Sequence, residues 1–201
     1  MINYKKKFIF IHIPKTAGTS IGEVLADENC SLKQNQWSDS GCSSPLNHLT
    51  LGELMKHQKL TNPDARDFFK FAFVRNPWDK AISECFCPHI QAIFENCKNI
   101  KDKIKTVCHW SSRGGYGGHC RKQTDFIKHA GIELDFMGRF ENLHQDYNHI
   151  CTTLGVPPLT LPHKFNSHRL HYSAYFDDET RQIVAEEYAK DIQCLGYEFG
   201  E

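Results

Sequence analysis

The sequence predicts an α/β layered fold, a central parallel sheet flanked by helices, in one domain over residues 1–201. Three observations predict it. Two largely apolar runs, residues 8–13 (FIFIHI) and 69–74 (FKFAFV), read as buried strands. Each leads into a loop dense in polar chemistry and then into residues with helical periodicity. A third, shorter run at residues 134–137 is again followed by an amphipathic stretch. Strand, loop and helix in repeated order is the pattern of parallel strands joined by crossovers.

The first strand ends at Pro14. Residues 18 to 27 carry Ile21, Val24 and Leu25 at helical spacing, with Thr19 or Ser20 near the cap. Residues 28–47 are polar and read as a long loop, of the length that often carries function. Residues 49–57 suit a short helix, with Thr50 as N-cap and Glu53 at capping-box spacing. The second strand ends in Arg75-Asn76-Pro77-Trp78, and Pro77 fits the first turn of a helix expected over 78–97. Residues 98–120 read as irregular, ending in a Gly-rich loop, and 121–129 as helical. The run at 134–137 is a short strand closed by Gly138. Residues 143–154 form a helix ended by Gly155 and Pro157-Pro158. Residues 159–176 read as loop. Residues 177–195 read as one last helix, capped by Asp177 or Asp178, with Ile183, Val184, Tyr188 and Ile192 on one face.

Composition narrows the function. The 201 residues hold 24 Lys plus Arg against 24 Asp plus Glu, so no global basic field argues for a nucleic-acid partner. No apolar run approaches the roughly 18 residues of a membrane span. The apolar piece after Lys5-Lys6-Lys7 is shorter than a signal peptide's core of about 7–15 residues. The expectation is a cytoplasmic protein or a luminal piece of a longer chain. The nine cysteines are an odd number, which cannot pair fully within one chain, so most are expected as packed thiols. Cys85-x-Cys87-x-His89 falls on the expected helix, where i and i+2 point apart. Cys108-His109 and His119-Cys120 flank the Gly-rich loop, which zinc or a disulfide could close. Neither arrangement matches a zinc-finger spacing, and no metal site is expected.

The chemistry concentrates at two strand ends, where open α/β sheets bind ligands. Pro14-Lys15-Thr16-Ala17-Gly18-Thr19-Ser20 runs from strand into helix. Small residues let backbone N–H groups approach an anion, the helix dipole favours one, and Lys15 adds a mobile charge. The loop is not the G-x-x-x-x-G-K-[ST] pattern, because the Lys comes first. Arg75 closes the second strand and Ser83 follows two helical turns later. Arg75 reads either as a phosphate fork or as a partner of Asp79 or Glu84. Together the loops suit a ligand with two separated phosphates. No Walker-type Asp follows an apolar strand, which disfavours a magnesium-dependent NTPase.

These residues resemble a known family. Residues 10–20 (FIHIPKTAGTS) look like the 5′-phosphosulfate loop of sulfotransferases that use 3′-phosphoadenosine 5′-phosphosulfate (PAPS). Residues 71–80 (FAFVRNPWDK), continued to Ser83, look like their 3′-phosphate motif. Residues 137–143 (MGRFENL) and 188–199 (YAKDIQCLGYEF) resemble the carbohydrate branch that includes heparan sulfate 2-O- and chondroitin sulfotransferases.

The resemblance implies a P-loop-like three-layer fold, PAPS as donor without a metal, and in-line sulfuryl transfer to an acceptor hydroxyl on a carbohydrate. Lys15, Thr16, Ala17, Gly18, Thr19 and Ser20 would hold the 5′ end, with Lys15 catalytic, and Arg75 and Ser83 the 3′-phosphate. His48, lying between the motifs and before a helix, is the implied base; His12 and Glu53 are its rivals. Among His163, Asn166, Ser167 and Arg169, some are expected to touch the nucleotide. Arg139 and Glu141 read either as site support or as a structural ion pair. Lys98, Lys101, Lys103, Lys105, Arg113, Arg121 and Lys122 read either as a lure for an anionic sugar or as a solvated surface. The alternatives are a small-molecule kinase and a non-catalytic nucleotide-binding module.

Overall fold

The computed structural model describes residues 1–31, 46–162 and 169–201. Most of the expected loop 28–47, with Cys42, lies outside the described residues, as do His163, Asn166 and Ser167.

The chain begins with β1 (Ile2–Asn3), β2 (Phe8–Ile11), α1 (Gly18–Leu25) and β3 (Cys30–Ser31). Then come α2 (Leu51–Gln58), α3 (Asn62–Arg66), β4 (Phe69–Val74), α4 (Pro77–Cys85) and α5 (Ile100–Ser111). Next are α6 (Gln123–Ile127), β5 (Phe136–Arg139), α7 (Leu143–Leu154), α8 (Asp178–Glu187) and α9 (Ala189–Leu195). The sheet order is β3-β1-β2-β4-β5. Its core is parallel: Phe8 pairs with Phe69 and Ile11 with Ala72, while Phe71 pairs with Phe136 and Val74 with Arg139. The short β1 runs antiparallel to β2 and β3. The sheet is therefore mixed where the sequence suggested a parallel one, because two-residue strands carry no readable period.

The pleat sorts the core into two layers. Ile9, Ile11, Ala72 and Val74 face one way and pack with Leu51, Leu54 and Met55 of α2, Phe126 of α6 and Leu195 of α9. Phe8, Phe10, Phe71 and Phe73 face the other way and meet Ile21 and Leu25 of α1 and Ile150 of α7. Phe10 and Phe71 stack at 5.0 Å, an aromatic contact that adds to the burial of both rings. Gly138 on β5 lies against Phe73, whose ring would come within 2.6 Å of an added β-carbon. A third cluster joins Trp78 and Ile82 of α4, Ile104 and Val107 of α5 and Val184 of α8.

Strand β4 and helix α7 hold the expected bounds, and the Thr50–Glu53 capping box of α2 forms in both directions. Four expectations change. The helix expected over 78–97 stops at Cys85, and a 3-10 segment over Pro88–Phe94 follows. Pro88 cannot continue an α-helix and biases Cys87 out of the helical region. Cys87 and His89 are thus not on the helix with Cys85. Residues 98–120 are not irregular: α5 spans twelve of them, capped by the Asn99 side chain on the Asp102 N–H. The last helix, capped by Asp177, breaks at Tyr188, whose hydroxyl donates to the Cys120 carbonyl at 2.6 Å. The third strand lies two residues further on than expected, with Gly138 inside it. Among the described residues, no helix is long and apolar enough to cross a membrane.

Candidate active site

A cleft of about 1080 Å³ opens at the carboxyl ends of β2 and β4. Pro14, Lys15, Ala17, Gly18, Thr19 and Ser20 line it from the first loop, Arg75, Asp79 and Ser83 from the second, with His12 and His48 between. Thr16 turns inward, its hydroxyl donating to the Ile13 carbonyl at 2.9 Å. That bond closes the loop on itself. Lys15 and Ala17 have φ of 68° and 66°, left-handed values that cost a non-glycine residue roughly 1 kcal/mol each. Alternation of handedness along a backbone turns successive N–H groups into one concavity. Helix α1 starts there on Ala17, and no side chain caps it; neither Thr19 nor Ser20 is the cap. Ser20 instead donates to the Pro162 carbonyl at 2.8 Å, tying the loop to a late segment. Gly18 is required by His12, whose Cδ2 would sit 1.9 Å from an added β-carbon.

Arg75 is buried, and Nε donates to Asp79 Oδ2 at 2.7 Å while a terminal nitrogen donates to the Lys15 carbonyl at 2.9 Å. Its guanidinium lies 3.7 Å from the centre of the Phe140 ring. Burial lowers its pKa from the ordinary arginine value, and Asp79 opposes that shift. Arg169 pairs with the other Asp79 oxygen. Two guanidinium groups thus share one carboxylate, leaving a net positive charge. Asp79 and Ser83, one helical turn apart on α4, both line the cleft. The pairing of Arg75 with Asp79 was one of its two sequence readings; Glu84 pairs elsewhere.

Three imidazoles line the cleft beside these loops. His12 and His48 meet edge to face at 4.6 Å, and His48 and His119 at 5.3 Å. His48 Nδ1 lies 3.3 Å from the His12 carbonyl, which can only accept. The proton therefore sits on Nδ1, and Nε2 keeps its lone pair, approached by the Asn47 amide nitrogen at 3.4 Å. Burial, then the neighbouring His119, pulls the His48 pKa down to about 3. Burial, then His48, holds His12 well below the usual histidine value. Both rings are neutral near pH 7. Glu53 does not line the cleft: its carboxylate accepts from the Thr50 N–H at 2.7 Å and pairs with Arg121.

Glu84 and His119, expected as a partner of Arg75 and as a flank of the Gly-rich loop, instead meet each other. His119 Nδ1 is 2.7 Å from Glu84 Oε2, and Lys80 Nζ is 3.0 Å from Glu84 Oε1. Glu84 is fully buried. Burial alone would raise its pKa, but Lys80 and His119 outweigh burial and hold the carboxyl well below the usual range. A spacing signal existed, since Lys80 and Glu84 are i and i+4 on a helix, but nothing in the sequence turned that pair inward. Glu84, Cys87 and His119 are the grouping among the described residues whose donor atoms fall within 4.8 Å of one another. Cys87 is raised in pKa by burial, against the pull of Lys15. The eight described cysteines are free thiols, Cys108 and Cys120 included.

Arg139 and Glu141 do not act as one pair. Arg139 donates to the Leu195 carbonyl at 2.5 Å, while Glu141 accepts from the Asn76 N–H at 2.7 Å and the Tyr197 hydroxyl at 3.0 Å. Glu141 thereby fixes the start of α4, and so Arg75 beside it.

Against known families, residues 1–198 match the one described as "Sulfotransferase family". No curated protein and no solved structure matches the chain.

Proposed function

Because this chain belongs to the sulfotransferase family, we propose that it moves a sulfuryl group from PAPS to a carbohydrate hydroxyl, with His48 as general base and no metal. One observation carries this reading: two cation-bearing strand ends share one cleft, and Arg75 is bonded directly to the Lys15 carbonyl at 2.9 Å. A donor with two separated phosphates matches that pair of sites.

When bound, the donor supplies the sulfuryl group: a bond forms from the acceptor oxygen to sulfur as the bond from sulfur to the 5′-phosphate oxygen breaks, and adenosine 3′,5′-bisphosphate leaves. Lys15 and the N–H groups over Thr16–Ser20 stabilise charge gathering on the departing phosphate. Arg75 and Ser83, joined by Arg169, hold the 3′-phosphate and with it the orientation of the reacting end. His48 takes the acceptor proton on Nε2, the nitrogen left with a lone pair. A neutral imidazole is the right starting form. Its low basicity means that proton transfer goes with sulfur–oxygen bond formation, once the hydroxyl has become acidic.

Calorimetric titration with adenosine 3′,5′-bisphosphate, without metal and beside ATP with magnesium, tests the donor. Binding of the bisphosphate alone is expected, lost in Arg75→Ala and weakened in Ser83→Ala, which leaves the Arg75–Asp79 pair in place. Binding of ATP–magnesium instead would replace this reading with a kinase. His48→Ala should lower kcat by about 10²–10⁴ with bisphosphate affinity kept; unchanged turnover would remove His48 as base.

A further inference from the structure

The acceptor is open in the reading above, and the charges of the cleft narrow it. Lys98 to Lys122 held most of the cationic residues that could draw an anionic sugar. None of these side chains lines the cleft. Lys101 pairs with Asp177 at 2.6 Å, Lys105 with Glu179 at 2.6 Å and Lys122 with Glu187 at 2.8 Å. Lys103 lies over the Phe94 ring, Arg121 pairs with Glu53 and Arg113 bonds to His109. Among the described residues, the Lys and Arg side chains that line the cleft are Lys15, Arg75 and Arg169. Asp79, Glu141 and Glu201 line it too, so among the described residues the formal charges of Lys, Arg, Asp and Glu side chains balance before any donor arrives. A bound phosphosulfate donor then makes the cleft strongly negative, and a carboxylated or sulfated acceptor would approach against that charge.

The wall on the His48 side has its own chemistry. His48 Nε2 is an acceptor, approached by the Asn47 amide nitrogen only at 3.4 Å, longer than an ordinary hydrogen bond. It calls for a closer donor, which a hydroxyl is and a carboxylate is not. Beside it stands Tyr116, partly exposed into the cleft. Two backbone hydrogen bonds with His119, each 2.9 Å, hold it in place, and Trp110 backs its ring edge-on at 5.1 Å. A braced aromatic ring beside uncharged polar groups suits the apolar face of a sugar ring.

We propose that the acceptor is a neutral glycan, seated on Tyr116 with its reacting hydroxyl toward His48, and not an anionic glycosaminoglycan. This rests on the sulfotransferase reading and narrows it. The test uses the full chain, PAPS and a matched pair of acceptors: an uronic-acid oligosaccharide and the same oligosaccharide with its carboxyls reduced to alcohols. The reduced form should show kcat/KM at least about tenfold higher, with little change as salt rises, since no charge pair is screened. Tyr116→Ala should raise the acceptor KM about three- to tenfold, the range of one aromatic contact, while Tyr116→Phe stays near the parent and bisphosphate affinity holds in both. Preference for the carboxylated parent overturns the proposal, and so does transfer to neither acceptor while the bisphosphate still binds. Titrating the bisphosphate on the same preparation separates failure of this assignment from failure of the donor reading.

Discussion

Glu84→Gln puts the buried charge cluster to the test. Lys80 and Glu84 have almost no exposed side-chain surface, and Glu84 also serves His119 and the Cys120 N–H. His119 bonds Oε2 while Cys120 N–H and Lys80 bond Oε1, so the glutamine keeps an oxygen for one side only, and it removes the charge that balances Lys80. Breaking a buried pair from one side costs about 3–5 kcal/mol, because the survivor stays charged in a poor solvent. A chain of this size loses about 2–4 °C of Tm per kcal/mol, so the midpoint should fall by roughly 6–20 °C. Urea unfolding followed by fluorescence reads the same loss as a lower midpoint with an unchanged slope. The double variant Lys80→Met with Glu84→Gln removes both charges and should recover most of the loss. A cost below about 1 kcal/mol for Glu84→Gln, or a double variant worse than the single one, would refute the argument that charge pairing holds this wall.

Two further outcomes are expected. His12 and His48 have folded pKa values below the ordinary 6.5, so the unfolded chain binds protons that the folded chain refuses. Their contribution is complete above pH 6.5 and is lost as pH falls toward 3. Between pH 6 and 5 the two rings together should cost about 2 kcal/mol in urea-derived stability; a flat profile from pH 7 to 5 would show them solvated instead. Gly18→Ala would ordinarily gain about 1 kcal/mol inside a helix, yet here the new methyl meets the His12 ring. A net loss of about 1–3 kcal/mol and weaker bisphosphate binding are expected, and a rise in Tm would contradict the packing of His12 on the loop.

Local chemistry was the legible part. The bounds of β4, the Thr50–Glu53 box and the Gly155 stop of α7 each follow from a few adjacent residues. The two loops at the strand ends were legible for the same reason, since a strand end and a helix start are short-range events. Helix α5 was hidden by its own surface: four lysines among residues 98–105 mask Ile100, Ile104, Val107 and Cys108, which have helical spacing. The break at Tyr188 depends on a carbonyl 68 residues away. Glu84 and His119 stood out singly, as a partner for Arg75 and as a flank of the Gly-rich loop, but only the packing of α4 against that loop turns them toward one another.

The bond from Ser20 to the Pro162 carbonyl spans 142 positions, and Arg169 reaches Asp79 across 90. On a ribosome, β1, β2 and β4 can pair long before residue 162 leaves the exit tunnel, but the cleft has no far wall until it does. Affinity for the proposed donor would therefore arise late, from contacts of high sequence separation that are slow to form. A chain stalled at residue 120 would own both strand-end loops and still lack the enclosure that makes them a cleft.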